Sequence, residues 1–103
     1  MTVTRFITVT GSMYQVDNFR KKIRRFQFGD SAPSRIFRLD GEWKPFHELS
    51  PVLVGKKVVI FWTDKEPPMP ETLPLIQVGT IVVPFTATSI VASVVEEDQG
   101  DLN

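Results

Sequence analysis

The chain contains no cysteine and only one histidine in 103 residues. Without thiols it has no disulfide scaffold, no thiolate nucleophile and no cysteine-ligated zinc or iron–sulfur centre. With His47 alone, no site can draw on two or more histidines of one chain. There is no Gly-rich phosphate loop, no nucleophile elbow and no metal-ligand spacing. Excess charge of one sign is also missing. Twelve Lys and Arg balance 12 Asp and Glu, which does not favour a generic polyanion binder.

The N-terminal Met1-Thr2-Val3-Thr4-Arg5 has no continuous apolar core, so no signal peptide is expected. Thr72 to Val95 runs 24 residues without a charge, long enough on paper to cross a bilayer. It also holds Pro74, Pro84, Gly79, Gln77, four Thr and two Ser, and its apolar residues are mostly β-branched. Two buried strands joined near Pro84 account for it better than a membrane span, and the expected location is the cytoplasm.

What is present is β-forming. Arg5-Phe6-Ile7-Thr8-Val9 and Met13-Tyr14-Gln15-Val16 flank Gly11-Ser12 and predict a hairpin. After the breaking pair Asp17-Asn18, residues 19–28 read two ways. On a helix, Phe19, Ile23 and Phe26 form one stripe. On a strand, Arg24, Phe26 and Phe28 face one side and Ile23, Arg25 and Gln27 the other, and the strand is preferred from Ile23 onward. Asp40-Gly41 predicts a type I′ hairpin between Ile36–Leu39 and Glu42–Phe46, with Pro45 placing the second arm at an edge or keeping it short.

His47 to Pro51 is expected as a short helical turn, and Lys56 to Trp62 as the central strand. Asp64 to Pro74, with four prolines, predicts an extended crossover. Its Pro67-Pro68-Met69-Pro70 also fits a Pro-x-x-Pro ligand for an aromatic groove. Ile76–Val83 and Ile90–Val95 supply the last strands.

These readings predict an all-β fold, a small barrel or strongly bent antiparallel sheet of about six or seven strands, with at most one short helical turn. The domain spans 1–95, and 96–103 form a flexible acidic tail.

Charge is unevenly distributed along the chain. Met1 to Thr63 carries 11 bases against five acids, and Asp64 to Asn103 carries seven acids against Lys65 alone, so the two parts stand at +6 and −6. Folding the acidic part against the basic one would cancel both. The densest basic cluster is Arg20, Lys21, Lys22, Arg24 and Arg25, continued by Arg35 and Arg38 and interleaved with Phe19, Phe26, Phe28 and Phe37. Phosphates pair with Lys and Arg, and unpaired bases stack on aromatic faces. The cluster therefore suits single-stranded nucleic acid, with Phe26 or Tyr14 stacking. Alternatively, the phenylalanines are core and the charges a solvated face.

Trp43, on the proline-marked hairpin, and Tyr14 are candidate anchors for a protein interface together with Arg24, Arg25 and Arg38, whereas Trp62 belongs to the core. An enzyme would need His47, a serine and an acid brought together from afar. Asp98-Gln99-Gly100-Asp101 lacks the remaining ligands of a calcium loop. No cofactor or metal is expected.

Thr10-Gly11-Ser12-Met13-Tyr14-Gln15-Val16-Asp17, Ile23-Arg24-Arg25, Asp40-Gly41-Glu42-Trp43-Lys44-Pro45-Phe46, Ser50-Pro51 and Val54-Gly55-Lys56 together resemble small uncharacterised proteins of actinobacterial phages and prophages. The resemblance spans Thr4 to Thr63. It implies a cytoplasmic accessory protein made during infection and assigns no residue a role. The chain thus reads as a non-enzymatic β module that binds a protein partner, such as a host factor, or itself. Single-stranded nucleic-acid binding is the alternative.

Overall fold

The computed structural model describes residues 2–27, 41–62 and 74–98. These hold seven strands: β1 (Thr2–Thr8), β2 (Met13–Asp17), β3 (Lys22–Phe26), β4 (Lys44–Leu49), β5 (Lys57–Trp62), β6 (Leu75–Val78) and β7 (Ile81–Asp98). No helix occurs among the described residues. Each strand pairs antiparallel with its neighbours in the order β1-β2-β3-β4-β5-β7, and β7 returns to β1. The result is a closed six-stranded barrel, with β6 as an extra strand paired to β7.

Period-two alternation sets which side chains enter the barrel. Val16 lies opposite Ile23 in the β2–β3 ladder, and both are fully buried. In β5 the pattern sends Val58, Ile60 and Trp62 inward. With Phe6, Tyr14, Phe46 and Val91 these residues form the core, and the Phe6 and Tyr14 rings stack at 4.8 Å. The Trp62 indole N–H keeps a partner inside by donating to Thr86 Oγ1 at 2.9 Å.

β7 closes the barrel through its length. Its 18 residues pair first with β6 (Ile81 to Pro84), then with β5 (Phe85 to Ile90), then with β1 (Val91 to Asp98). Register breaks at Ile7/Thr8 and Lys57/Val59 bend the ladders around the barrel. At the second break Val58 has no register partner. Its N–H donates instead to the buried Thr88 Oγ1 at 3.0 Å, which in turn donates to Ser89 O at 2.7 Å.

The structure departs from the expectations at four places. His47 to Leu49 continue β4 as strand, because Glu48 and Leu49 join the ladder to Phe61 and Ile60, and a helical turn would forfeit that pairing. β4 has a neighbour on each side, so Pro45 is not at an edge. Phe46 N donates to Lys21 O, so the Pro45 nitrogen points the other way, toward β5, whose ladder begins only at Phe46. Pro84 is the same case. Phe85 N donates to Pro74 O, which turns the Pro84 nitrogen away from β6, and the β5 ladder starts at Phe85. The break in the uncharged stretch is therefore at Gly79-Thr80, and much of that stretch is exposed rather than buried. Finally, Glu96 to Asp98 are ordered strand against Thr4 to Thr2, so the acidic segment does not begin as a tail at 96.

Gly41 carries the positive φ (81°) expected of the Asp40-Gly41 turn, and a Cβ there would lie 3.2 Å from the Phe26 ring. The Ile36–Leu39 arm, the proline-rich crossover 64–73 and residues 99–103 lie outside the described residues.

Replacing Thr88 by Val keeps the shape but strands the Val58 N–H in the interior. A loss of about 1–3 kcal/mol is expected in urea unfolding. Thr88→Ser, which keeps the hydroxyl, should recover most of it.

Candidate functional site

Adjacent residues on β3 face opposite ways, and this divides the basic cluster. Arg25 follows the parity of Ile23 and turns into the barrel, where it is 5% exposed and donates to Ser12 Oγ at 2.9 Å. Opposite it in register is Tyr14, 7% exposed and stacked on Phe6. Burial pushes the Tyr14 phenol above its ordinary pKa, partly offset by the charge and hydrogen bond of Arg25. Neither Tyr14 nor Arg25 is available to a partner, which corrects both as interface residues and removes Tyr14 as a base-stacking ring.

Arg24 lies on the outer face. Its guanidinium rests 4.3 Å from the Trp43 ring and 5.3 Å from Phe26, and Nε donates to Gln15 Oε1 at 2.6 Å. Partial burial lowers its pKa, and the Glu97 carboxylate acts in the opposite sense. Glu97 also accepts from Gln15 Nε2 at 3.4 Å and lies 3.6 Å from Arg5 Nε. Here the acidic end of the chain does meet the basic part. Trp43 is half-buried, with Arg24 over its ring. Arg38 lies outside the described residues.

The other three bases group at the β2–β3 turn. Arg20, Lys21 and Lys22 are exposed beside Phe19, whose ring stands 85% exposed. In the sequence Phe19 fits a helical stripe or a core position as well as it fits a contact residue among the basic cluster. The available signal was Asp17-Asn18: a turn starting there puts the next side chain at its tip.

Behind this turn is a cavity of about 360 Å³ at one end of the barrel. Thr4, Asn18, Lys21, Glu48 and Glu96 line it, above Phe46 and other apolar residues. Asn18 Nδ2 donates to Thr4 Oγ1 at 3.0 Å and Thr4 Oγ1 to Glu96 Oε1 at 2.8 Å, which fixes the Glu96 carboxylate. His47 is exposed and does not line the cavity, so the three-part hydrolytic site considered from the sequence is not assembled there. Among the described residues no three His, Asp or Glu side chains gather as metal ligands.

A further surface lies at β6 and the start of β7, where Leu75 is 65% and Val82 57% exposed and Ile76 is also solvent-facing.

No family model, curated protein or solved structure matches this chain. Among the described residues no helix is long and apolar enough to cross a membrane.

Tyr14 is the only tyrosine, so its titration can be read directly from tyrosinate absorbance. Its folded pKa lies above the unfolded value of 10.0. The unfolded chain therefore releases its proton first as pH rises, and the stability Tyr14 contributes is present below pH 10 and is lost as pH climbs from there through the folded pKa. Thermal unfolding from pH 9 to 11 should show a loss that Tyr14→Phe lacks.

Proposed function

We propose that this chain is a non-enzymatic interaction module that associates with a second copy of itself through the outer edge of β6. The observation that carries this reading is the β6–β7 hairpin, an extra strand beyond the closed barrel. Phe85 N bonds Pro74 O, and amides alternate along a strand, so the N–H groups of Leu75 and Gln77 face outward. Among the described residues no strand pairs with that edge.

Edge strands are usually blunted by charge or by a proline within them. Residues 75–83 contain neither, and they expose Leu75, Ile76 and Val82. With no charge to select a different sequence, the self-complementary solution is antiparallel pairing of β6 with its own copy about a two-fold axis. The resemblance to small phage and prophage proteins supports an accessory role in which such a dimer, rather than a reaction, is the working unit.

Light scattering across a concentration series tests this. The wild type should run as a dimer, and Leu75→Lys/Gln77→Lys, which places charge on the edge without touching the core, should run as a monomer with an unchanged far-ultraviolet spectrum. A wild-type chain that stays monomeric at high micromolar concentration defeats the proposal.

A further inference from the structure

The β2–β3 turn holds an aromatic ring in solvent next to three consecutive cations, and the fold makes no use of it. Phe19 is the most exposed of the large apolar side chains among the described residues. It forgoes the burial free energy a phenylalanine could contribute.

The turn that presents Phe19 is firmly built. The buried Asp17 accepts from Phe19 N at 3.1 Å and from Arg20 N at 3.0 Å through the same Oδ1. Lys21 takes φ of 54°, a left-handed conformation that a side chain tolerates only when its surroundings enforce it. Two bonds enforce it here: Lys21 O accepts from Phe46 N at 3.0 Å, and Lys21 Nζ donates to His47 O at 3.2 Å. A strained, hydrogen-bonded turn that ends in an exposed ring is pre-organised for contact.

Among the described residues the charges around the ring have one ion pair. Arg20 lies 4.0 Å from Asp17, and its side chain is 61% exposed. Lys22 has no anionic partner among the described residues. Of the acidic groups on neighbouring strands, Asp17 lies opposite Lys22 in the ladder, Glu48 and Glu96 line the cavity with Lys21, and Glu97 is engaged on the outer face with Arg5 and Gln15.

The geometry points to a binding site for single-stranded nucleic acid in which an unpaired base stacks on Phe19 and its flanking phosphates lie against Arg20 and Lys22. Stacking needs a free aromatic face, and phosphates need cations near it, and the turn offers both within four consecutive residues. A duplex keeps its base faces covered and would gain only the charge contacts. An anionic membrane would want a broader apolar wedge than one ring beside Asn18 and Asp17. This site is separate from the β6 edge, and either can fail without the other.

Fluorescence anisotropy with a short labelled oligothymidylate, its duplex counterpart and phosphatidylserine vesicles decides the matter. The expected result is single-strand binding over duplex, weakened roughly ten-fold or more by Phe19→Ala with an unchanged salt slope. Phe19→Trp should restore it, and Lys22→Gln should reduce the slope of log affinity against log salt by about 0.7. Neither residue is in the core, so the variants keep the fold, which circular dichroism verifies. The proposal is overturned by no oligonucleotide binding at low salt, by affinity indifferent to Phe19→Ala, or by Phe19-dependent capture on vesicles alone.

Discussion

The barrel depends on one strand that lends its edges to three others in turn. A chain that alternates inward and outward residues must still find a partner for every amide along a closed wall, and β7 meets this demand by running 18 residues. Its first part carries the β6 hairpin, its middle completes β5, and its last part returns to β1. The 24-residue uncharged stretch lies mostly in β7. The uncharged stretch covers the part of β7 that passes from β6 to β5 and on to β1, and it leaves the β6 end with apolar side chains in solvent.

Changing partners along a strand creates positions where one edge has no ladder, and these are where the chain places its prolines. Pro45 and Pro84 each turn a nitrogen that cannot donate toward a side on which pairing has not yet begun. The bulge at Lys57/Val59 is the converse case, a donor without a backbone acceptor, and the Thr88 hydroxyl meets it. Local composition and global closure agree at all three points.

Much of the fold was legible because the period-two signal is local. The β1–β2 hairpin, the strand from Ile23 and the central strand ending at Trp62 follow from alternation and turn residues within a few positions. Two of the misreadings, at Pro45 and Pro84, share one cause. The sequence pattern reads a proline as ending or demoting a strand, whereas its effect depends on which neighbour its nitrogen faces, and that is fixed by residues far away in sequence, as the pairing of Pro45 with Lys22, or of Phe85 beside Pro84 with Phe61, illustrates. The site was less legible. Arg24 and Arg25 look equivalent in a basic run, yet one stacks outside on Trp43 and the other bonds Ser12 inside. Alternation stated that they face opposite ways, but only the barrel decides which face is in.

The same division explains how a chain with no net charge keeps a cationic tip. The acidic C-terminal part does fold against the basic part, as internal compensation requires, but strand register decides where. Pairing Glu97 with Val3 brings its carboxylate over Arg5 and Gln15 and within range of Arg24, and Glu96 one residue away turns to Thr4. These contacts lie along β1, β2 and β7, whereas at the β2–β3 turn the acids among the described residues are Asp17, opposite Lys22 and 4.0 Å from Arg20, and Glu48 and Glu96, which line the cavity with Lys21. Zero net charge is a property of the whole chain, whereas a ligand meets the local field, and at the tip of the β2–β3 turn three adjacent exposed cations stand beside one buried, already hydrogen-bonded aspartate.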